Sequence, residues 1–483
     1  MSNQKSIKVN FIMNIILTGS SYIFPLITFP YISRILQATG NGKLNFALSV
    51  INYFVMFASL GIPMYGIKAC AIVRDNKDEL SKTVKELFIL NFITSTVSFV
   101  VLIAMIAVVP KLQDYTELLL IDSVAIWLNL IGMEWLFKGL EEYAYITNRS
   151  IAFKIIGIVL MFIFVHKPSD YVVYAIITLI GSSGSLVLNV LRCRKLINFK
   201  IQGRIDLKKH IKPMVSFFLL SASWTIYTNL DSVMLGFLTN DAEVGYYAAA
   251  VKLKSILVST ISALGTVLLP RLTNYYSENR KSEFYSLLKI DGQFITISAL
   301  YFTSFCVINA REIIIFLSGN TYLPAVPAMQ MISISILFIG FSTMLGTNVL
   351  VPVGRENITM IATLIGLVID ALLNVIWIPA YGAAGAATAT VIGEISIFVF
   401  EAFYLRKSIR QMFDMISLLK EFIAIIVATV VLLFSKKIFI QMISNELLII
   451  IFTGVIFSII YLIVLLFLRD ALTNKVFNNA IKS

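Results

Sequence analysis

The sequence predicts an all-α polytopic membrane protein, and three observations carry that prediction. Of its 483 residues, 58% are hydrophobic and only 14% charged, whereas a soluble domain carries about 25% charged residues. Apolar stretches of about 20 residues, enough to span a hydrocarbon core of about 30 Å, recur from end to end. Basic residues gather in alternate connections between these stretches, as they do in a chain that threads a bilayer.

The first stretch, 9–31, follows Lys5 and Lys8 and lacks a small-residue cleavage site. It therefore reads as a retained helix rather than a signal peptide, and Pro25 and Pro30 predict a bend in it. The same criterion places helices at 45–67, 86–109, 116–137, 143–165, 171–191, 213–238, 245–270, 292–317, 325–350, 357–379, 382–405, 415–435 and 445–468. Pro270 is expected to end the eighth. With about fourteen crossings and both termini cytoplasmic, the cytoplasmic side holds 30 of the 39 Lys and Arg, the largest group being Arg192 to Lys212. Lys154 is assigned to one of these connections. One helix more or fewer would scramble the alternation downstream. The expected location is the bacterial cytoplasmic membrane.

Several function classes drop out. The net charge of +12 reads as cytoplasmic-loop charge rather than a nucleic-acid surface. Cys70, Cys193 and Cys306 are far apart, and neither His166 nor His210 has a second ligand nearby in sequence, so neither a disulfide framework nor a metal site is expected. No connection is long enough for a catalytic domain, which argues against an enzyme. No phosphate-binding loop pattern implies a nucleotide cofactor.

The chain also resembles itself. LQATGNGKLNFALSV (Leu36–Val50) and TNDAEVGYYAAAVKL (Thr239–Leu253) both place a glycine, Gly42 or Gly245, ahead of an expected helix, at an offset of 203 residues. YITNRS and LVPVGRE match at a similar offset and bring Arg149 against Arg355. Six helices per half make this a parallel repeat, with the substrate path expected between lobes. The expected domains are an N-terminal six-helix lobe at 1–200, a C-terminal six-helix lobe at 201–410, and two additional helices with a tail at 411–483.

Three helices carry polar stripes at helical spacing: Asn14, Thr18, Ser21 and Thr28 in the first; Ser221, Thr225, Thr228 and Asp231 in the seventh; Lys252, Ser255, Ser259, Ser262 and Thr266 in the eighth. Any one hydroxyl is satisfied by its own helix or a neighbouring one. Three stripes together favour a water-filled cavity. A charge at mid-membrane costs about 2.5–3.5 kcal/mol on insertion scales, so Asp122, Asp231, Lys252, Lys254, Asp370 and Glu394 should face protein or cavity. Asp231 is expected to pair with a lysine across the hairpin, or to bind a proton or sodium ion. Lys252 and Lys254 suit an anionic substrate group, and the first stripe leads towards Arg34.

Tyr31–Asp75, containing YISRILQATGNGKLNFALSV, and EWLFKGLEEYAYITNRS (Glu134–Ser150) resemble the Wzx-type oligosaccharide flippases, as do DSVMLGFLTNDAEVGYYAAAVKL (Asp231–Leu253) and IPAYGAAGAATATVIGE (Ile378–Glu394). The resemblance spans helices one to twelve. It implies the multidrug/oligosaccharidyl-lipid/polysaccharide exporter superfamily, with its two MATE-like lobes, alternating access and a polyprenyl-diphosphate-linked oligosaccharide as cargo. On that basis Lys252, Lys254, Arg34, Ser255 and Ser259 are the expected substrate-binding residues. Asp231 is the expected ion-coupling residue, and Asn14, Thr18, Ser21, Thr225 and Thr228 line the cavity. Implied partners are the lipid-linked oligosaccharide, membrane lipids and a polysaccharide polymerase. No cofactor is implied, and a proton gradient, a sodium gradient and the membrane potential all stay open as driving forces. A lipid II flippase or a multidrug/cation antiporter of the same superfamily is the alternative.

Overall fold

A computed structural model of the chain describes residues 7–198, 205–443 and 445–474. Of the basic residues counted above, Lys5, Lys200, Arg204, Lys475 and Lys482 lie outside these ranges. Among the described residues there is no strand, and ten helical segments are long and apolar enough to cross a membrane by length and composition. The protein is a multi-pass, all-α membrane protein. Its chain forms two compact units, Met1–Phe237 and Leu238–Ser483.

The first unit holds α1 (Ile7–Ser59), α2 (Ile62–Val73), α3 (Lys77–Val108), α4 (Pro110–Gln113), α5 (Thr116–Gly132), α6 (Glu134–Gly139), α7 (Tyr143–Phe164), α8 (Tyr171–Ser183), α9 (Val187–Leu196) and α10 (Lys208–Leu238). At 53 residues α1 would be about 80 Å long, far more than one crossing needs. It breaks at Gln37 (φ 57, ψ −176). The connection expected at 32–44 is therefore helical up to and beyond one strained residue, and Gly42 lies within a helix rather than ahead of one. Helix α3 starts before the expected residue 86 because the Asn76 side chain accepts from the Asp78 and Glu79 backbone N–H groups at 3.0 and 3.2 Å, a cap that charge alone did not suggest.

Buried side chains of α2, α3, α6 and α7, with Met214 of α10, form one core that includes Leu80, Leu87, Trp135, Phe137 and Ile146. Glycine allows α7 and α8 to approach closely, where a Cβ at Gly157 would sit 3.3 Å from Gly181 Cα. Such small-residue seams are how helices meet in lipid, where hydrophobic burial offers little drive.

The second unit holds α11 (Asp241–Ser277), α12 (Lys281–Ile308), α13 (Ala310–Ser318), α14 (Val326–Thr343), α15 (Glu356–Tyr404), α16 (Ile409–Met412), α17 (Met415–Met442) and α18 (Glu446–Phe467). Asn240 caps α11 by accepting from Glu243 N–H at 3.2 Å, so Gly245 is already inside the helix. Pro270 does not end it: α11 continues to Ser277, and the missing proline N–H merely leaves the Thr266 carbonyl without its helical donor. The 49-residue α15 breaks at Gly382 (φ 53, ψ −130), close to the residues where sequence separates helices eleven and twelve. A π-helical turn, Met344–Leu350, follows α14. Three polar contacts dock α17 and α18. Lys436 donates to Glu312 at 2.6 Å and to the Ile308 carbonyl, and Arg311 lies 3.4 Å from Glu446. Beneath them Ala424, Ala428, Phe457 and Tyr461 pack with Leu300.

Candidate functional site

In the first unit the polar stripe of α1 meets α7. Lys154, at the midpoint of α7, donates to Ser20 Oγ at 2.8 Å and Ser21 Oγ at 3.0 Å. Its ammonium also lies 5.7 Å from the Phe24 ring centroid. Thr147 extends the same seam by donating to the Met13 carbonyl at 3.0 Å. Lys154 is half-buried, while Asn14, Thr18 and Ser21 are exposed. The sequence reading missed this cation by counting it among loop charges. The apolar residues on both sides of it, from Ile151 to Val165, were the available signal. No carboxylate accepts from Lys154 among the described residues; two hydroxyls do, so its charge stays uncompensated within a membrane helix.

Arg149, earlier on α7, is a structural contrast. It is buried and its two terminal nitrogens are engaged, donating to Glu134 at 2.8 Å and Ser185 at 2.6 Å, and Glu134 also holds Lys138 at 2.9 Å. Its sequence counterpart Arg355 is exposed immediately before α15. Arg34 is exposed on α1 just short of the Gln37 break.

A cavity of about 360 Å³ opens where the end of α1 and the start of α2 face α10. Its lining includes Asn52, Ser59, Ser221, Trp224, Thr225, Thr228 and Asn229. The structure thus brings together the hydroxyls that the sequence placed on one face of the seventh helix. It adds Asn52, which donates to Asn229 Oδ1 at 3.0 Å. Asn229 in turn donates to the Thr225 carbonyl at 2.8 Å. Thr228 donates to the Trp224 carbonyl at 2.9 Å. Asp231 is buried one turn further along α10, near Tyr53.

In the second unit Lys252 and Lys254 are half-buried on α11, and neither forms a salt bridge within that unit among the described residues. Ser255 and Ser259 donate to their own helix, at 2.9 Å to the Val251 carbonyl and 2.7 Å to the Ile256 carbonyl, and still offer oxygen lone pairs outwards. Sequence reasoning passed over a second polar group around the π-helical turn. There Asn348 donates to Asp291 Oδ2 at 2.7 Å, and both side chains are fully buried. A Cβ at Gly346 would lie 2.7 Å from Glu401 Oε1. These residues come from α12, the turn and α15, and no periodicity within one helix connects them.

The chain is similar to several known proteins. A "Putative O-antigen transporter" of Escherichia coli (strain K12) is 25% identical over 72% of this chain and 84% of its own length. "Capsular polysaccharide biosynthesis protein CapF" of Staphylococcus aureus is 22% identical over 83% of this chain and 99% of its own. Among solved structures, the fold matches lipid II flippase MurJ in an inward closed conformation with a TM-score of 0.76, at 17% identity over 95% of this chain and 99% of that one. It also matches an inward-facing multidrug resistance MATE family transporter with a TM-score of 0.59, at 13% identity over 81% and 98%. The family described as "Polysaccharide biosynthesis protein" matches residues 7–276, more than half of the sequence, and the chain belongs to that family.

Proposed function

We propose that this protein flips a polyprenyl-diphosphate-linked oligosaccharide repeat unit from the cytoplasmic to the outer leaflet by alternating access, for surface polysaccharide biosynthesis. The observation that carries the reading is that a member of a polysaccharide biosynthesis family has a multi-pass fold shared with a lipid flippase. The named relatives that point the same way are an O-antigen transporter and a capsular polysaccharide protein. In this reading the chain moves its cargo without chemically changing it and so is not an enzyme. It crosses the cytoplasmic membrane of a bacterium fourteen times, with both termini inside, as two six-helix lobes and a C-terminal helix pair. A polysaccharide polymerase takes up the delivered units.

The physics of the headgroup suits the residues. A diphosphate carries about two negative charges, and cations in a wet, low-dielectric site offset part of its desolvation. Lys252, Lys254 and Arg34 fill that role, with Ser255 and Ser259 as neutral donors. Asn14, Thr18, Ser21, Thr225 and Thr228 keep the path wet, and Asp231 carries a coupling proton or sodium ion. An inside-negative potential adds about 2.3 kcal/mol per charge per 100 mV to outward movement of an anion.

The test is transport of labelled lipid-linked precursor into inverted vesicles. Wild type should deliver it. A Lys252→Ala/Lys254→Ala double variant should not, and normal delivery by that variant removes the two lysines from substrate binding. A second reading, a lipid II flippase, is favoured by the fold match of 0.76. Loss of viability on gene deletion, rather than loss of a surface polymer, would select it.

A further inference from the structure

We infer that the cavity between α1, α2 and α10 is a saccharide subsite, in which Trp224 is the stacking platform and Asn52, Thr225 and Thr228 are the hydrogen-bonding rim. The inference rests on the flippase reading and adds which part of the cargo this cavity holds. None of the lining side chains is ionisable. A diphosphate there would stay uncompensated, so the cavity is not where the headgroup charge binds. Val55, Met56, Pro63 and Met64 also line the cavity, but a polyprenyl chain as its occupant would strip water from the amide and hydroxyl groups and return no hydrogen bond.

What remains is an aromatic face beside uncharged groups that both donate and accept, and a sugar ring presents the complementary surfaces. Its hydroxyls donate and accept, as amides and hydroxyls do, and its apolar C–H face stacks on a rigid ring that gives up little conformational entropy. Trp224 is unusually placed for this. It is 68% exposed and lies near the middle of α10, whereas tryptophans that anchor a helix in the headgroup layer sit near helix ends. The polar rim is pre-organised. The Asn52–Asn229 bond joins α1 to α10, and the Asn229–Thr225 bond fixes the second amide. Asn229 spends its other amide proton on Thr228 Oγ1 at 3.2 Å, which leaves the Asn52 carbonyl oxygen and one Asn52 amide proton available to a ligand. At about 360 Å³ the cavity falls at the lower end of the range for small-ligand sites, about 300–1,000 Å³. It suits a short saccharide and not an entire lipid-linked chain.

The test compares two probes on full-length protein in detergent: lipid-linked saccharide extracted from source cells lacking this gene, and bare polyprenyl diphosphate. Wild type should bind the saccharide-bearing lipid more tightly. Trp224→Ala should weaken that lipid alone, by about three- to tenfold, and leave bare polyprenyl diphosphate unchanged. Trp224→Tyr should restore most of the difference. Because the side chain is exposed, Trp224→Ala should melt at the wild-type temperature. Unchanged affinity in Trp224→Ala, or equal weakening of both lipids, overturns the saccharide subsite while the flippase reading stands. Equal wild-type affinity for both lipids also overturns it. Wild type that binds neither lipid sinks the flippase reading, and this subsite with it.

Discussion

Glu243 Oε2 accepts a hydrogen bond from the Ala383 backbone N–H at 2.7 Å. One carboxylate near the start of α11 thereby closes the break in the middle of α15. A helix that restarts within a membrane protein exposes amide groups that need acceptors, and Glu243 supplies one. Gly382 is the other half of the device. Its φ of 53 and ψ of −130 suit glycine, and a Cβ there would lie 2.2 Å from Glu243 Oε2.

Gly382→Ala should therefore destabilise the fold by about 1–3 kcal/mol from backbone strain alone, with displacement of Glu243 in addition. Glu243→Gln keeps an acceptor and should melt close to wild type. Thermal unfolding in detergent measures both, and a Gly382→Ala protein as stable as wild type would remove the close contact from the account.

Lys154→Met should fold normally, since it replaces one half-buried chain with another of similar shape, but should lose about tenfold or more of transport, the scale of a lost charged hydrogen bond. Lys154→Arg should retain part of it. If Lys154→Met delivers cargo at the wild-type rate, the contact with Ser20 and Ser21 only holds α1 to α7.

The buried pair between Glu312 and Lys436 predicts an asymmetry. Glu312→Ala leaves an uncompensated ammonium and should destabilise by about 3–5 kcal/mol, whereas replacing both residues by methionine should cost far less. Equal melting temperatures for the single and double variants would show that α17 is held by its apolar contacts alone.

Asp231→Asn should express and insert at wild-type levels but slow export, because the amide keeps the shape and cannot carry a proton or balance a cation. Quantified surface polymer against protein abundance decides it. Wild-type output leaves Asp231 a structural neighbour of Tyr53.

How much of this was legible in the sequence depended on whether the information was local. Apolar length gave the membrane fold, and the spacing of Ser221, Thr225 and Thr228 put on one helix face the hydroxyls that line a single cavity. The Gln37 break was hidden because strain at a non-glycine residue leaves no compositional mark, so α1 read as two helices with a loop. Asn76 and Asn240 moved helix starts by capping, a short-range signal overlooked because hydropathy dominated the boundaries. Lys154 was misassigned because a basic residue counts the same in a charge tally whether it sits in a loop or one face of a helix. Asn52, Asp291 and Glu401 acquire meaning only through partners on other helices.

The lack of ionisable groups around Trp224 also separates two parts of recognition by their response to ionic strength. At about 0.15 M salt the Debye length is about 8 Å, so added salt weakens attraction between solvated lysines and a diphosphate. Stacking and neutral hydrogen bonds hardly respond. Raising salt should therefore erode affinity for every polyprenyl diphosphate by a similar factor while leaving the ratio between cargoes with different sugars nearly constant.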